Sequence, residues 1–224
     1  MTRVVAVVGA ATEIGKTWMT AALATELRTR QHPEAVRQIT VAARKPAQSF
    51  DPADTAPTDA AVLGEATGES PYVVCPSHRW YPTPMAPPMA AAALGKPVPT
   101  LTQLVTETLM PDVDIVFVET AGGVRSPIAA DGDCLDYARA VRPDLIVLCA
   151  DAGLGTINAV RLCIDAIDDV PTVTFLNRFD QGQRLHVLNR DWLRHTDGYV
   201  VTTDIGELAD LIGKRLFGGG DPHR

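Results

Sequence analysis

No C-x-x-C pair occurs among the four cysteines, Cys75, Cys134, Cys149 and Cys163, which excludes a zinc knuckle or a thioredoxin-like redox pair. Three of them neighbour apolar stretches, so reduced structural thiols are expected. A basic patch is missing too. With 20 Lys and Arg against 27 Asp and Glu, the formal net charge of -7 repels a phosphate backbone or an acidic membrane, and predicts no nucleic-acid and no membrane partner. No apolar run approaches the length of a membrane span. The first, Val4 to Val8, stops at Gly9 and a polar turn, without a small-residue cleavage site, and a cytoplasmic protein is expected. There is no internal repeat.

What remains is an ordinary globular composition, 46% hydrophobic and 21% charged over 224 residues, which suits one domain. Continuous apolar runs of strand length stand at Val4–Val8, Ile39–Ala43, Ile115–Val118, Leu145–Ala150 and Thr172–Leu176. They lack polar alternation, so each is covered on both faces. Segments of helical character lie between them, at Lys16–Arg30, Asp133–Val141, Ile157–Ile167, Gln183–His195 and Ile205–Leu216. This β-α-β rhythm predicts an α/β fold, a single domain with a mostly parallel sheet and helices on both faces. Right-handed crossovers then gather the strand-to-helix loops at one sheet edge, where ligands bind. Residues Phe50–Thr58 and Tyr81–Pro88, rich in Pro, Asp and Thr, read as irregular surface loops over that edge. The expected domain is 1–217, and 218–224, with its Gly-Gly-Gly run, reads as a flexible tail.

The most informative segment follows the first strand: Gly9-Ala10-Ala11-Thr12-Glu13-Ile14-Gly15-Lys16-Thr17, then an Ala- and Leu-rich helix. Strand, turn, Gly-Lys-Thr and helix stand in the order a phosphate cradle requires. Free amides at the helix start and the positive end of its dipole attract phosphate oxygens, Lys16 adds charge, and Thr17 offers a hydroxyl to Mg2+. The pattern departs from G-x-x-x-x-G-K-[ST] in carrying Ala10 where glycine belongs, its glycine lying one place earlier.

That offset resembles the G-T-D-T-E-V-G-K-T loop of the dethiobiotin synthetase family of P-loop NTPases, with agreement at Gly9, Thr12, Glu13, Gly15, Lys16 and Thr17. Partitioning ATPases carry K-G-G-x-G-K-T instead, and their signature lysine would fall at Ala11. The resemblance runs in order from Val4 to about Asp180, and is less specific beyond. Lys45-Pro46-Ala47-Gln48-Ser49 is similar to the family's K-P-V-x-S-G, with Phe50 in place of glycine. There the resemblance implies that Lys45 and Ser49 bind carbamate and the transferring phosphate. Thr58-Asp59-Ala60 is similar to S-D-A, which implies an Mg2+ ligand at Asp59, although alone the segment reads equally well as a helix N-cap. Tyr81–Pro87 looks like the family's proline-rich substrate loop. Glu119-Thr120-Ala121-Gly122-Gly123 resembles E-G-A-G-G: a carboxylate at a strand end suits a Mg2+ ligand, and the glycines a close backbone approach to substrate. Thr120 departs from the family's glycine, and Arg125 stands where an apolar residue is expected.

Leu154-Gly155-Thr156-Ile157-Asn158 is similar to the family's L-G-x-I-N, which implies a homodimer in which this segment nears the neighbour's site. Asn177 matches the adenine-side asparagine, although Asn177-Arg178-Phe179-Asp180 also resembles the guanine-reading N-K-x-D. The resemblance therefore implies an ATP-dependent cyclo-ligase acting on a nucleoside triphosphate, a diamine acceptor and CO2. Lys16, Lys45, Thr12 and Ser49 would be catalytic. Glu13, Ile14, Gly15, Lys16, Thr17, Glu119, Gly122 and Asn177 would hold the nucleotide, and Thr17, Asp59 and Glu119 the metal. Phe50, Thr120 and Arg125 leave open a paralogue with another acceptor, with Arg125 expected to meet an anionic or strongly polar group of it. A regulatory nucleotide-binding ATPase is the other alternative. No histidine is assigned a role.

Overall fold

The computed structural model describes residues 1–29, 38–168 and 170–218. The first half contains β1 (Arg3–Gly9), α1 (Lys16–Thr29), β2 (Val41–Arg44), β3 (Gln48–Ser49), α2 (Asp59–Thr67), α3 (Pro71–Val74), a 3-10 turn (Ser77–Arg79), β4 (Trp80–Tyr81), α4 (Pro87–Ala93) and α5 (Leu101–Glu107). The second contains β5 (Ile115–Glu119), β6 (Pro127–Ala129), β7 (Gly132–Asp133), α6 (Cys134–Ala140), β8 (Leu145–Asp151), α7 (Thr156–Ile167), β9 (Thr172–Asn177), α8 (Arg184–Asp191), a π-helical turn (Trp192–Thr196), β10 (Val201–Thr202) and α9 (Ile205–Phe217).

Six strands form a parallel sheet in the order β10-β9-β8-β1-β5-β2. Alternation along β1 shows why its run is apolar throughout. Val5 and Val7 enter the core beneath α1 and α9, with Met19, Leu23, Leu208 and Ile212. Ala6 and Val8 face the opposite layer, with Leu135 of α6 and Val160 of α7. Both faces are covered, as the sequence predicts for such strands. The chain direction of the strand order reverses at β1, which lies between β8 and β5, so the loops after β1, β2 and β5 open together at the carboxyl edge of the sheet.

The expected elements recur with small changes of boundary. The strand expected from Ile39 begins at Val41, and the helix expected over Gln183–His195 runs as α8 and then widens into the π-helical turn. Two readings need correction. Tyr81 is not on a surface loop: it is 1% exposed and pairs with Ser49 in a two-stranded ribbon. The prolines at 87 and 88 open α4, where a missing N–H costs nothing. Of the expected tail, Gly218 caps α9 and 219–224 lie outside the described residues, as does Arg30.

Candidate active site

The loop between β1 and α1 is held from three sides. The Ala10 amide donates to the Cys149 carbonyl at 2.8 Å, and Val124 donates to the Gly9 carbonyl at 2.8 Å. From β9, Asn177 Nδ2 donates to the Ile14 carbonyl at 2.7 Å and Arg178 Nη2 to the Glu13 carbonyl at 2.6 Å. The last bond joins two non-glycine residues in the left-handed region, Glu13 at φ 58° and Arg178 at φ 56°, so the tie holds backbone that would otherwise relax.

The glycine offset has a steric cause. A Cβ at Gly9 would stand 2.8 Å from the Ala11 carbonyl oxygen, 2.9 Å from that of Gly122 and 3.0 Å from Lys16 Nζ. Glycine is thus required at 9, where the lysine folds back over the loop. Gly15 has φ 85°, and a Cβ there would lie 2.2 Å from Asn177 Nδ2.

Lys16 is buried, and among the described residues no carboxylate lies within ion-pair distance of it. Burial lowers its pKa below the ordinary value, and the neighbouring Lys45 ammonium lowers it further. Lys45, 3% exposed, has the opposite circumstances. Its Nζ lies 2.7 Å from Glu119 Oε1 and 2.9 Å from Asp59 Oδ2. Burial works to lower its pKa, but the two carboxylates outweigh that and raise it. The same Lys45 charge holds the Asp59 carboxyl below the usual range.

Thr17 Oγ1 lies 2.9 Å from Asp59 Oδ1 and 2.7 Å from Glu119 Oε1, and its single hydrogen can serve only one of them at a time. Glu119 Oε2 is buried without a hydrogen-bond partner among the described residues. Thr58 is the N-cap of α2, its side chain accepting from the Ala61 amide, so Asp59 in the first turn is left to face the cleft. Two carboxylates and a hydroxyl form an all-oxygen donor set suited to Mg2+, which is commonly held by one or two carboxylates with phosphate and water oxygens. No group of three or more His, Cys, Asp or Glu side chains suited to a metal occurs among the described residues, so a divalent ion here would need those further oxygens.

These groups line a cleft of about 740 Å³. Its lining includes Thr12, Glu13, Gly15, Lys16 and Thr17 of the phosphate loop, Lys45, Ser49, Asp59, Glu119 and Gly122 from other segments of the chain, and the apolar Phe50, Pro84, Met85 and Pro87. Ser49 Oγ is buried there without a hydrogen-bond partner among the described residues. Ile14 and Asn177 are not in the lining; they act on the loop from behind, through their shared hydrogen bond. Arg125 is absent from the lining as well. Its side chain is 66% exposed and its guanidinium meets Asp133 at 2.9 Å, which does not support contact with an acceptor.

Three contributors escape a sequence reading. Gln48 sits at a position the family motif leaves open, yet is 2% exposed in the cleft wall. Ser126 accepts from the Gly123 amide at 2.8 Å and fixes the glycine turn. Arg178 ties the phosphate loop; its only signal was its place beside Asn177 at a strand end.

A family described as an AAA domain matches residues 3–174. The chain is 36% identical to the ATP-dependent dethiobiotin synthetase BioD of Rhodococcus jostii over 167 residues, which cover 73% of this chain and 67% of that protein. It is 34% identical to the ATP-dependent dethiobiotin synthetase BioD of Mycobacteroides abscessus over 223 residues, covering 94% and 90%. Among solved structures, a Borrelia burgdorferi plasmid partition protein aligns with a TM-score of 0.54 at 14% identity, covering 96% of this chain and 94% of that one, a likeness of fold alone. With residues 3–174 matched and the Mycobacteroides relative covered almost throughout, the chain belongs to the dethiobiotin synthetase family of P-loop proteins.

Proposed function

We propose that this chain is an ATP-dependent dethiobiotin synthetase, which joins CO2 to 7,8-diaminononanoate and closes the cyclic urea. The observation that carries the reading is Lys16: a buried ammonium in a phosphate loop, with no carboxylate partner among the described residues, is complementary to an anion that the cleft admits. The activity for which the relatives are named supplies the chemistry.

In this reading one amine of the acceptor takes up CO2 as a carbamate and releases a proton. A carbamate oxygen attacks the γ-phosphorus of ATP, and ADP leaves. The second amine then attacks the carbonyl carbon of the resulting anhydride, inorganic phosphate leaves, and the ring is closed. No covalent enzyme intermediate is required, so catalysis rests on positioning and on charge neutralisation. Lys16 and Lys45 face the transferring phosphoryl group, while Thr12 and Ser49 offer hydroxyls to phosphate and carbamate. Thr17, Asp59 and Glu119 would hold Mg2+, which when bound neutralises charge on the nucleotide phosphates. Glu13, Gly15 and Gly122 present the surrounding backbone. We place Asn177 on the adenine side of the nucleotide, behind the loop it secures.

We further propose a homodimer and a cytoplasmic location; no helix of the described residues is long and apolar enough to cross a membrane. Incubation with labelled bicarbonate, ATP, Mg2+ and 7,8-diaminononanoate is expected to yield acid-stable label in dethiobiotin with one ADP per product. ATP binding without incorporated label would overturn the assignment.

A further inference from the structure

Gln48 has a fixed orientation that leaves half of its side chain unused. The backbone amide of Ala60 can only donate, and it lies 2.9 Å from the Gln48 side-chain oxygen. That bond settles which end of the carboxamide is which. The nitrogen, Nε2, is then left buried and, among the described residues, without a hydrogen-bond partner, in a residue that is 2% exposed and lines the cleft. A buried amide donor left unpaired is costly, so a partner from the cleft would recover most of that loss. The adjacent Ser49 hydroxyl is unpartnered as well, and Lys45 stands three residues before Gln48 in the same wall. The absent partner must accept a hydrogen bond, and the Lys16 ammonium in the same cleft, which has no carboxylate within ion-pair distance among the described residues, favours an anionic one.

We propose that Gln48 binds substrate, donating from Nε2 to an oxygen of the carboxylated amine, while its own oxygen anchors the start of α2 and with it Asp59. The assignment rests on the synthetase reading for the identity of that anion, though not for its being an anion. One side chain thus connects the substrate oxygen to the helix turn that presents a carboxylate to Thr17 and Lys45. Loss of the donor then affects the acceptor, and loss of the anchor affects Asp59.

Gln48→Glu separates the two functions, because a carboxylate can still accept from Ala60 but cannot donate. The expected result is a rise in the acceptor KM of tenfold or more in protein whose circular dichroism spectrum shows it folded, with the dissociation constant of a non-hydrolysable ATP analogue changed less than twofold. An acceptor KM equal to wild type in folded Gln48→Glu protein overturns the proposal and leaves Gln48 as an anchor of α2 only. A direct reading comes from the side-chain amide resonance of Gln48 in ¹⁵N spectra, identified by its loss in Gln48→Glu. It is expected to shift when bicarbonate and the diamine are added to wild type with the analogue. If wild type makes no dethiobiotin but inorganic phosphate or bicarbonate shifts this resonance, the synthetase reading fails and Gln48 remains an anion-binding group. If no anion shifts it, Gln48 is not a binding residue, whatever the turnover.

Discussion

At the scale of single residues, the two lysines of the cleft have opposite relations to stability. Lys45 neutralises a buried Glu119 carboxylate, so Lys45→Ala leaves that charge unpaired and is expected to cost about 3–5 kcal/mol. Lys45→Met combined with Glu119→Gln should recover most of this in a denaturant titration, yet remain inactive. Among the described residues Lys16 has no acidic partner to abandon. Lys16→Ala is therefore expected to match or exceed wild-type stability while kcat falls by roughly 10²–10³, the scale found for removal of one preorganised charge-stabilising donor. A large stability loss in Lys16→Ala would contradict the assignment of a ligand-seeking charge. The same contrast predicts a pH dependence. The Lys16 pKa is lowered in the free protein, first by burial, so this lysine begins to lose its proton below the ordinary 10.5, whereas a bound phosphate favours the charged form. Nucleotide binding in that window takes up a proton, and affinity should weaken as pH rises towards 10.5, with proton uptake detectable by calorimetry in buffers of different ionisation enthalpy. A Lys16→Ala protein should lack that uptake.

At the scale of elements, the carboxyl end of β9 supports the phosphate loop more than it lines the cleft. Asn177→Ala would leave the Ile14 carbonyl with only the weaker Cys149 thiol as donor, at 3.7 Å, and remove the side chain packed against Gly15. The expected cost is about 1–3 kcal/mol in stability, with weaker nucleotide binding. Normal ATP-analogue affinity together with a wild-type melting temperature would remove this role. The β-α units were legible because burial on both faces makes parallel strands apolar throughout, as in β1, β5 and β8. α2, α4 and α5 were not. They have seven to nine residues each, and α2 carries mostly small side chains, so no clear apolar stripe marks it. Within the site, Lys16, Thr17 and Glu119 could be named from their places at a helix start or a strand end, whereas Lys45 and Asp59 could be named only through the resemblance of their motifs. The convergence of Asp59 with Glu119 depends on Thr58 capping α2, and the part taken by Gln48 depends on a contact with Ala60 twelve residues on. Such pairings belong to tertiary structure, and spacing alone does not show them.

At the scale of the whole molecule, the outer side of α7 and α8 exposes more apolar surface than a solvated face requires. Leu154 is 92% exposed, Leu162 62%, Leu188 54% and Trp192 48%. The elements that carry them are neighbours: Asn189 of α8 donates to the Ala152 and Gly153 carbonyls, and Arg161 of α7 pairs with Asp197 just past the π-helical turn. Exposed apolar groups carried on neighbouring elements suit an association surface, and two-fold self-association is the commonest closed form. Leu154 precedes α7 directly after the β8 loop, close to the phosphate-loop edge, so a partner seated here would stand near the cleft. Light scattering is expected to give twice the chain mass of 23.9 kDa at micromolar concentration. Leu154→Glu with Leu188→Glu alters side chains that contribute little to the core, and should yield a folded monomer with an unchanged circular dichroism spectrum. If the partner's surface completes the acceptor end of the cleft, this monomer will bind the ATP analogue normally and lose dethiobiotin formation. A double variant that stays dimeric would place the interface elsewhere, and a wild-type protein that is monomeric and fully active would remove the homodimer altogether.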